Sequence, residues 1–436
     1  MPRPLAVLLA AFFAAPGLFA QQQFSDPDYA PPQTQVPPGF KQPATNDTPW
    51  ILRWMLHNRP HGMIVNLPVI DTDPNRGTTI GVLPIWINTE ENSERIVSMH
   101  APSLTYNKIF QLIGTYRYYY YPDAKSSFIF RTSFSMRKER EFLVDFETPD
   151  YKDSGWDLSE RFQYNVDRSN VFYGIGPATQ PSGKSGYTEN IIHNNFSIGH
   201  AIVPESKVRM HVSNHTAGEL VYGVKIPGIV DITSLYPDNI AADYRQEVNE
   251  THLVIDYDTR DDPTTTTRGY YVQAYAGGAV QDFISEFGFT RYSLDARNFY
   301  QWPDHPKWTT ASQFKYEEVF GNSIPFWLLP RMGGKYSLRA YGDGRFIDRG
   351  VITYNVEHRM IVHSEKMAGV NVDLEVAPFV GFGNVFHSLE KATTRYTRPV
   401  VGIATRAVAR PQVVGSIDFG FGQEGMAAFI DINYSF

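Results

Sequence analysis

The sequence predicts an all-β fold, a transmembrane β-barrel of about 16 antiparallel strands. Three observations support this prediction. The first residues have the form of a secretory signal peptide, no later apolar run approaches the ~20 residues of a membrane-spanning helix, and strand-like runs continue to the last residue, Phe436. An exported chain of this kind is soluble in the periplasm, secreted or a barrel. Within lipid, strands satisfy their backbone polar groups only in a closed sheet.

Residues 1–20 are predicted to be the signal peptide. Arg3 supplies the positive charge at the start, residues 5–15 form a short apolar core, and Ala20 is a small residue at the expected cleavage point before Gln21. The apolar core is too short for a membrane anchor. The sequence therefore predicts export.

Residues 21–61 are predicted to form a Pro-rich periplasmic leader. A short helix is predicted at residues 49–59, because Thr48 is a good N-cap, Pro49 suits the first helical position and Pro60 ends the pattern. This helix would plug the barrel from below, lie at the membrane surface or pack nowhere specific, and the sequence does not choose among these.

From residue 62 onward strand-like runs alternate with turn residues, so we assign residues 62–436 to the barrel. Gly77–Ile87 is predicted to be the first strand, weakened by Gly81 and by Pro84, which donates no ladder hydrogen bond. Further runs have a period of two: Asn107–Tyr121, Glu141–Glu147, Leu158–Val166, Thr251–Asp258, Val351–Ile361 and Val372–Val380. The first of these ends in Tyr118–Tyr121, which predicts part of an interfacial aromatic girdle.

The pattern of the predicted final strand distinguishes a membrane barrel from a soluble β-sandwich. Gly425–Phe436 places its apolar residues on one face: Met426, Ala428, Ile430, Ile432, Tyr434 and Phe436. A strand of this kind resembles the sorting signal of outer-membrane barrels, with Ile432, Tyr434 and Phe436 as its apolar end, and it predicts the bacterial outer membrane as the location. Closure would pair this strand with Gly77–Ile87 in a weak seam.

A long glycine-rich loop precedes the strand Val351–Ile361. Gly333-Gly334 and Gly342-x-Gly344 disfavour both helix and strand. In the strand that follows, Glu357 lies on the more polar face. An ionised side chain inside a barrel requires a partner or water.

The loop tip reads Leu338-Arg339-Ala340-Tyr341. It resembles the Val-Arg-Gly-Phe/Tyr tip of the sixth extracellular loop in the outer-membrane protein assembly and translocation superfamily (bacterial surface antigens), which includes BamA, TamA and the two-partner secretion transporters. The resemblance implies 16 strands and a loop folded into the lumen.

The same resemblance implies that Arg339 pairs with lumen carboxylates. The expected partners are Glu357 and, by strand parity, Asp373 and Glu375. Exchanging the charges of Arg339 and Glu357 is then expected to restore folding lost in either single variant. This chain departs from the family pattern at Ala340, where Gly is usual, and at Gly381, where the following strand usually carries Asp.

Two further segments resemble the family. Asp258–Pro263 resembles its Asp-Thr-Arg-Asp-x-Pro hairpin, and Phe172–Gly176 resembles the Phe-Tyr-Gly-x-Gly turn of barrel-only relatives. The leader is too short for a periplasmic POTRA module, so we expect a barrel-only member.

Composition and motifs argue against an enzyme, a cofactor or a metal site. The chain has no Cys, and its net charge of −7 gives no basic surface for nucleic acid. Three apparent motifs each lack a required residue. Gly183-Lys184-Ser185 has Ala178 where a phosphate loop requires Gly, and Asp71-x-Asp73-x-Asn75 lacks the closing Glu of a calcium loop. His211 and His215 lack the Glu of a zinc-protease helix.

The family resemblance implies insertion or translocation of proteins, or of lipid, through a lateral seam between the first and last strands. The expected partners are outer-membrane lipids, the machinery that inserts the barrel itself and unfolded outer-membrane proteins as clients. The alternative is an outer-membrane channel or a surface-exposed structural antigen that has no client.

Overall fold

The computed structural model describes residues 56–91, 95–123, 125–202, 207–226, 228–240, 244–367, 370–409, 412–431 and 434–436. The predicted signal peptide and residues 49–55 of the predicted helix lie outside these residues. Within the described part of the chain, no helix has the length and hydropathy needed to cross a bilayer.

The described chain forms a closed antiparallel barrel of 18 strands, near the predicted number. The strands are β1 Leu56–Arg59, β2 Gly62–Asp73, β3 Gly77–Thr89, β4 Ile96–His100, β5 Ser103–Asn107, β6 Gln111–Tyr120, β7 Ser127–Ser135, β8 Arg140–Thr148, β9 Trp156–Phe172, β10 Ser185–Ala201, β11 Val208–Gly223, β12 Val230–Asp231, β13 Gln246–Asp258, β14 Gly269–Ala279, β15 Phe289–Trp302, β16 His305–Gly321, β17 Arg331–Met332, β18 Phe346–Ile347, β19 Gly350–Met367, β20 Val370–Phe386, β21 Arg398–Ala409, β22 Gln412–Gly422 and β23 Gly425–Asp431.

β4 and β5 together fill one position in the wall, between β3 and β6. Four other short strands, β1, β12, β17 and β18, are not counted among the 18 strands of the wall. β1 pairs with β2, β12 pairs with the start of β10, and β17 pairs with β18 inside the loop between β16 and β19. The helical pieces are one α-helical turn, α1 Ile232–Leu235, and 3₁₀ turns at Tyr151–Asp153, Pro181–Gly183, Pro237–Asn239, Phe326–Leu328, Leu389–Lys391 and Thr394–Tyr396.

Period-two alternation builds a wall that is apolar outside and polar inside. In β11, Met210 and Val212 are exposed on the outer face, whereas Ser213 and His215 are buried in the lumen. Aromatic rings form an outer row across four neighbouring strands, β6 to β9: Tyr116, Phe130, Phe142 and Phe162, with successive centroids 6.3, 5.5 and 6.1 Å apart. The outer face therefore suits lipid.

The first barrel strand is β2, so the prediction of Gly77–Ile87 as the first strand is wrong. β3 has a partner on both edges, and β2 makes the closing pair with β23, Thr72 with Ile430. Asp73 Oδ1 accepts the backbone N–H groups of Asn75 and Arg76 and folds the tight turn from β2 to β3. Asp71 and Asp73 accordingly lie at the end of β2, and Asn75 lies in the turn that follows.

The predicted helix at residues 49–59 is wrong over its described part. Leu56–Arg59 is strand β1, which pairs in antiparallel register from Leu56 with Val65 to Arg59 with Gly62. A free sheet edge offers this segment backbone partners that its local sequence does not reveal.

The final strand is shorter than predicted. β23 ends at Asp431, and Ile432 lies outside the described residues. Met426 is exposed on the outer face as predicted, but Tyr434 does not continue on that face: its hydroxyl donates to Glu375, 2.9 Å away in the lumen. Arg359 lies over the Tyr434 ring at 3.8 Å and within 5.8 Å of the Phe436 ring. Buried arginines thus draw the end of the chain inward.

The loop between β16 and β19 fills one end of the lumen. Phe326–Leu329 packs in an apolar cluster with inward residues of seven barrel strands and with α1. Members of that cluster include Phe172, Tyr187, Ile232, Val248, Phe289 and Val319. Burying these side chains anchors the loop inside the barrel.

Candidate functional site

The loop reverses direction through glycines and presents its tip to the lumen wall. Gly333, Gly334 and Gly344 have φ angles of 127°, 82° and 65°, which L side chains rarely adopt. The Gly334 N–H donates to the Tyr341 carbonyl over 2.9 Å and closes the loop on itself. At the tip, Leu338 and Arg339 are 0% and 1% exposed.

Arg339 is held by two carboxylates and one aromatic ring. Its Nη1 donates to Glu357 Oε2 over 2.9 Å and to Asp418 Oδ2 over 3.0 Å. Its guanidinium lies 3.6 Å from the centroid of the Phe379 ring. The loop tip is therefore tied to β19, β20 and β22.

Glu357 is the centre of a larger buried cluster. It also accepts from Arg359 over 2.6 Å and from Arg406 Nη2 over 3.0 Å. Arg406 Nη1 in turn donates to Glu375 over 2.9 Å. Three guanidinium groups thus face three carboxylates, so the cluster is formally neutral although its members are buried.

The other two predicted partners of Arg339 have different roles. Asp373 accepts from Ser364 Oγ over 2.7 Å near the turn between β19 and β20. Glu375 belongs to the cluster but accepts from Arg406 and Tyr434. Among the described residues, the ion pairs of Arg339 are with Glu357 and Asp418.

Asp418 was missed by the sequence analysis, although β22 carries a usable signal. Ser416 and Asp418 are buried inward, and the intervening and following residues Ile417 and Phe419 face outward. This alternation predicts that Asp418 is inward, but not which loop arginine it meets. Asp418 provides the second carboxylate that Gly381 cannot supply.

Glycines form the wall under the loop tip. A Cβ at Gly420 would lie 1.7 Å from the Arg339 carbonyl oxygen, and one at Gly422 would lie 2.9 Å from Ala340 Cβ. On β20, a Cβ at Gly383 would lie 2.4 Å from Met332 Sδ. The backbone of the loop can lie this close because the wall has no side chains there.

A second loop arginine ties the loop to neighbouring turns. Arg345 Nε donates to Glu424 Oε2 over 2.7 Å, in the turn between β22 and β23, and its Nη1 donates to Thr179 Oγ1 over 3.0 Å. Its guanidinium lies 4.2 Å from the Tyr173 ring, and Gly176 N donates to the Ile347 carbonyl over 2.8 Å. The turn at Phe172–Gly176 is thus a contact surface for the loop.

The loop also contacts the turn between β2 and β3. Asn75 Nδ2 donates to the Asp343 carbonyl over 2.8 Å. Burial raises the pKa of the Asp343 carboxyl to about 6; Arg331 opposes this shift and Asp73 adds to it. The loop is therefore bound to the turns that follow the first strand and precede the last strand.

The hairpin at Asp258–Pro263 lies at the opposite end of the barrel. Arg359 Nη1 donates to the carbonyl of Thr266, just beyond this hairpin, over 3.3 Å, and its Nη2 donates to the Phe436 carbonyl oxygen over 2.9 Å. A cavity of about 390 Å³ opens there, lined by Thr265, Gln301, Lys307 and Thr309 among others. The described residues include no group of three or more His, Asp or Glu placed to hold a metal ion.

Replacing Glu357 with Gln is expected to cost about 3–5 kcal/mol of stability, because three buried guanidinium groups would lose their shared carboxylate. Arg339→Met is expected to cost less, since Glu357 keeps Arg359 and Arg406. Urea unfolding in lipid vesicles, followed by the mobility of unheated samples on gels, measures both. Glu90→Gln, in an exposed ion pair with Arg95, is the control and should change stability by about 0–1 kcal/mol. Equal losses from both buried variants would contradict the shared role of Glu357.

Exchanging the charges of Arg339 and Glu357 is not expected to restore stability, which corrects the expectation from sequence. A guanidinium at position 357 would face Arg359 and Arg406, both of which now donate to that carboxylate. We therefore expect the exchange to fail, although Arg339 and Glu357 form the predicted ion pair.

Gly420→Ala is expected to displace the loop tip, because the new methyl group overlaps the Arg339 carbonyl. Limited trypsin digestion should then cut after Lys335, Arg339 or Arg345, sites that are buried in the intact loop. Gly114→Ala is the matched control, since a Cβ there meets nothing within 4 Å. Unchanged protection in Gly420→Ala would mean that the wall can move away from the loop.

Asp343→Asn is expected to stabilise the barrel at neutral pH and to remove part of its pH dependence. Because the folded pKa of Asp343 is raised from 3.8 to about 6, its contribution to stability is present below about pH 4 and is lost as the pH rises through 6. Urea midpoints between pH 4 and 7.5 measure this loss. A variant as pH-dependent as the parent in that window would contradict the assignment.

The family comparison agrees with this geometry. Residues 126–407, more than half of the chain, match the model of the Omp85 superfamily domain. No curated protein matches the chain.

Two solved structures share the fold at low sequence identity. BamA from Haemophilus ducreyi lacking POTRA domains 1–3 has a TM-score of 0.53 at 11% identity, over 80% of this chain and 75% of that chain. CdiB from Escherichia coli has a TM-score of 0.52 at 8% identity, over 81% of this chain and 67% of that chain. The chain belongs to the Omp85 superfamily and is a β-barrel protein of the bacterial outer membrane.

Proposed function

We propose that this barrel assists the insertion or translocation of proteins, or of lipid, at the outer membrane by opening between β2 and β23. The observation that carries the proposal is the short described pairing between β2 and β23. Among their described residues, β2 and β23 share one register pair, Thr72 with Ile430. By contrast, β22 and β23 pair along the whole of β23, from Gly425 to Asp431.

The edge of β2 has two further features that favour opening. Pro68 lies within the strand and donates no backbone hydrogen bond. β1 occupies the same edge over Gly62–Val65, which indicates that this edge accepts an added strand. A client strand would add there after the bridge at Thr72 breaks.

The loop supports a lateral route over an axial one. Its apolar segment at Phe326–Leu329 fills one end of the lumen, so a path along the axis requires the loop to leave that end. The same loop holds Asn75 beside the first strand and Glu424 beside the last strand. A shift of the loop would therefore release both sides of the seam together.

Locking the seam tests this function. The chain has no Cys, so Thr72→Cys with Ile430→Cys introduces one cross-strand pair at antiparallel partner positions. The purified protein in liposomes should accelerate the folding of an unfolded small barrel, followed on unheated gels. Oxidation of the double variant should reduce the rate to that of empty liposomes, and a reductant should restore it.

A matched lock elsewhere controls for the disulfide itself. Val401→Cys with Phe421→Cys joins β21 and β22, which pair away from the seam, and should leave the rate unchanged. Full activity with the seam locked would contradict the lateral route. No acceleration by the parent protein would contradict the insertion activity, and bilayer conductance would then test the channel alternative.

A further inference from the structure

Five positively charged residues cluster on the outer face of the barrel, at the end that holds the loop. Arg140 and Arg168 face outward, because they continue the outer rows of Phe142 on β8 and Phe162 on β9 at intervals of two residues. The other three are exposed in or beside turns: Arg137 and Lys138 between β7 and β8, and Lys225 just after β11. We call these five residues the basic rim.

Hydrogen bonds hold the basic rim together. Arg168 Nη1 donates to the Arg137 carbonyl over 2.9 Å, and its Nη2 donates to the Lys225 carbonyl over 3.3 Å. Arg140 Nη1 donates to the carbonyls of Ser135 and Glu139 over 3.2 and 2.7 Å. The two guanidinium groups thus fix the backbone that carries the other cations. From β8 to β11 the rim is about 14 Å wide, at about 4.8 Å per strand.

Carboxylates of this chain do not neutralise the basic rim. The bonds of Arg140 and Arg168 go to backbone carbonyls, and within the described part of the chain no member of the rim forms an ion pair. By contrast, the inward arginines Arg131 and Arg161 on β7 and β9 each pair with a carboxylate.

The carboxylates in the same turns are placed elsewhere. Glu139 is buried, and Asp231 caps α1. Towards β13 the positive surface ends at Glu247, which is exposed. The charges of the basic rim are therefore left for an anion that comes from outside the chain.

The basic rim lies at the extracellular boundary of the membrane. Bacterial barrels have short periplasmic turns and longer extracellular loops. The long connections, residues 173–184, 322–349 and 387–397, are all at this end. β9 reaches it at Phe172, whose ring centroid lies 4.5 Å from that of Phe326 in the loop. Long basic side chains at this level reach the headgroups of the outer leaflet.

The outer face beside and below the basic rim is apolar. Phe134 is the register partner of Arg140 and is 57% exposed, and the Arg140 guanidinium lies 5.6 Å from the centroid of its ring. Phe142 and Tyr222 are also exposed on this face. Cations at the headgroup level thus lie directly above a surface that suits acyl chains.

We propose that the basic rim binds the phosphate groups of a phosphorylated lipid in the outer leaflet, with the acyl chains against Phe134, Phe142 and Tyr222. Arg binds phosphate through paired N–H donors, and Lys binds it as a point charge. A soluble anion would use only the cations, whereas a lipid uses the cations and the apolar wall together. This inference does not depend on the proposed function, because β7 to β11 do not border the seam between β2 and β23.

Native mass spectrometry of the detergent-purified protein, titrated with lipid A, tests this site. Lipid A carries phosphates and acyl chains in one molecule. The parent should bind it more tightly than the same lipid after phosphatase treatment, and inorganic phosphate at the same concentration should not bind. A variant with Arg137→Gln, Lys138→Gln and Lys225→Gln keeps the carbonyls that Arg168 uses. It should bind lipid A about 100-fold more weakly, roughly fivefold for each cation, and Lys138→Gln alone should account for one such step.

Lys391→Gln with Arg395→Gln is the matched control. It removes two exposed cations at the same end of the barrel, beside exposed Glu390, and should leave binding unchanged. Shifted mobility on unheated gels should show that every variant is folded. Equal affinity for lipid A and for the phosphatase-treated lipid would overturn phosphate recognition. Equal binding of inorganic phosphate would overturn the assignment to a lipid, and full binding by the folded triple variant would overturn the location.

Discussion

The carboxylate of Glu357 is the group on which the interior of the barrel depends. It accepts from an arginine of the loop, an arginine of its own strand and an arginine of β21. A buried charge is tolerated only with partners of opposite sign, so each of these arginines must stay in place. The positions of the loop tip, of β21 and of the inward-turned chain end at Tyr434 follow from this one requirement.

The loop joins this cluster to the seam. Its tip is fixed through Arg339, and the residues directly after the tip contact the turn of the first strand at Asn75 and the turn of the last strand at Glu424. The loop thus links the cluster to the junction of β2 and β23, where one register pair is described.

The site was predictable where local pattern and motif agree. The loop tip and strand parity together identified Arg339 and Glu357, and the structure places them 2.9 Å apart. Asp418 was not predicted because it lies on a strand far along the chain, and only the register of β19 to β22 brings it to the tip. Asp373 has the parity of an inward residue, but it lies near the turn between β19 and β20, away from the loop tip. There it accepts a hydrogen bond from Ser364.

The sequence by itself determined that the chain is an exported barrel and which face of most strands meets lipid. The outward faces follow from a local pattern, a period of two, which lipid imposes on every strand. The tertiary structure decided which strand closes the barrel, that Leu56–Arg59 is a strand and that the chain turns inward before Tyr434. These features depend on which sheet edge is free and on where buried charges stand, and such long-range constraints leave no local periodic signal.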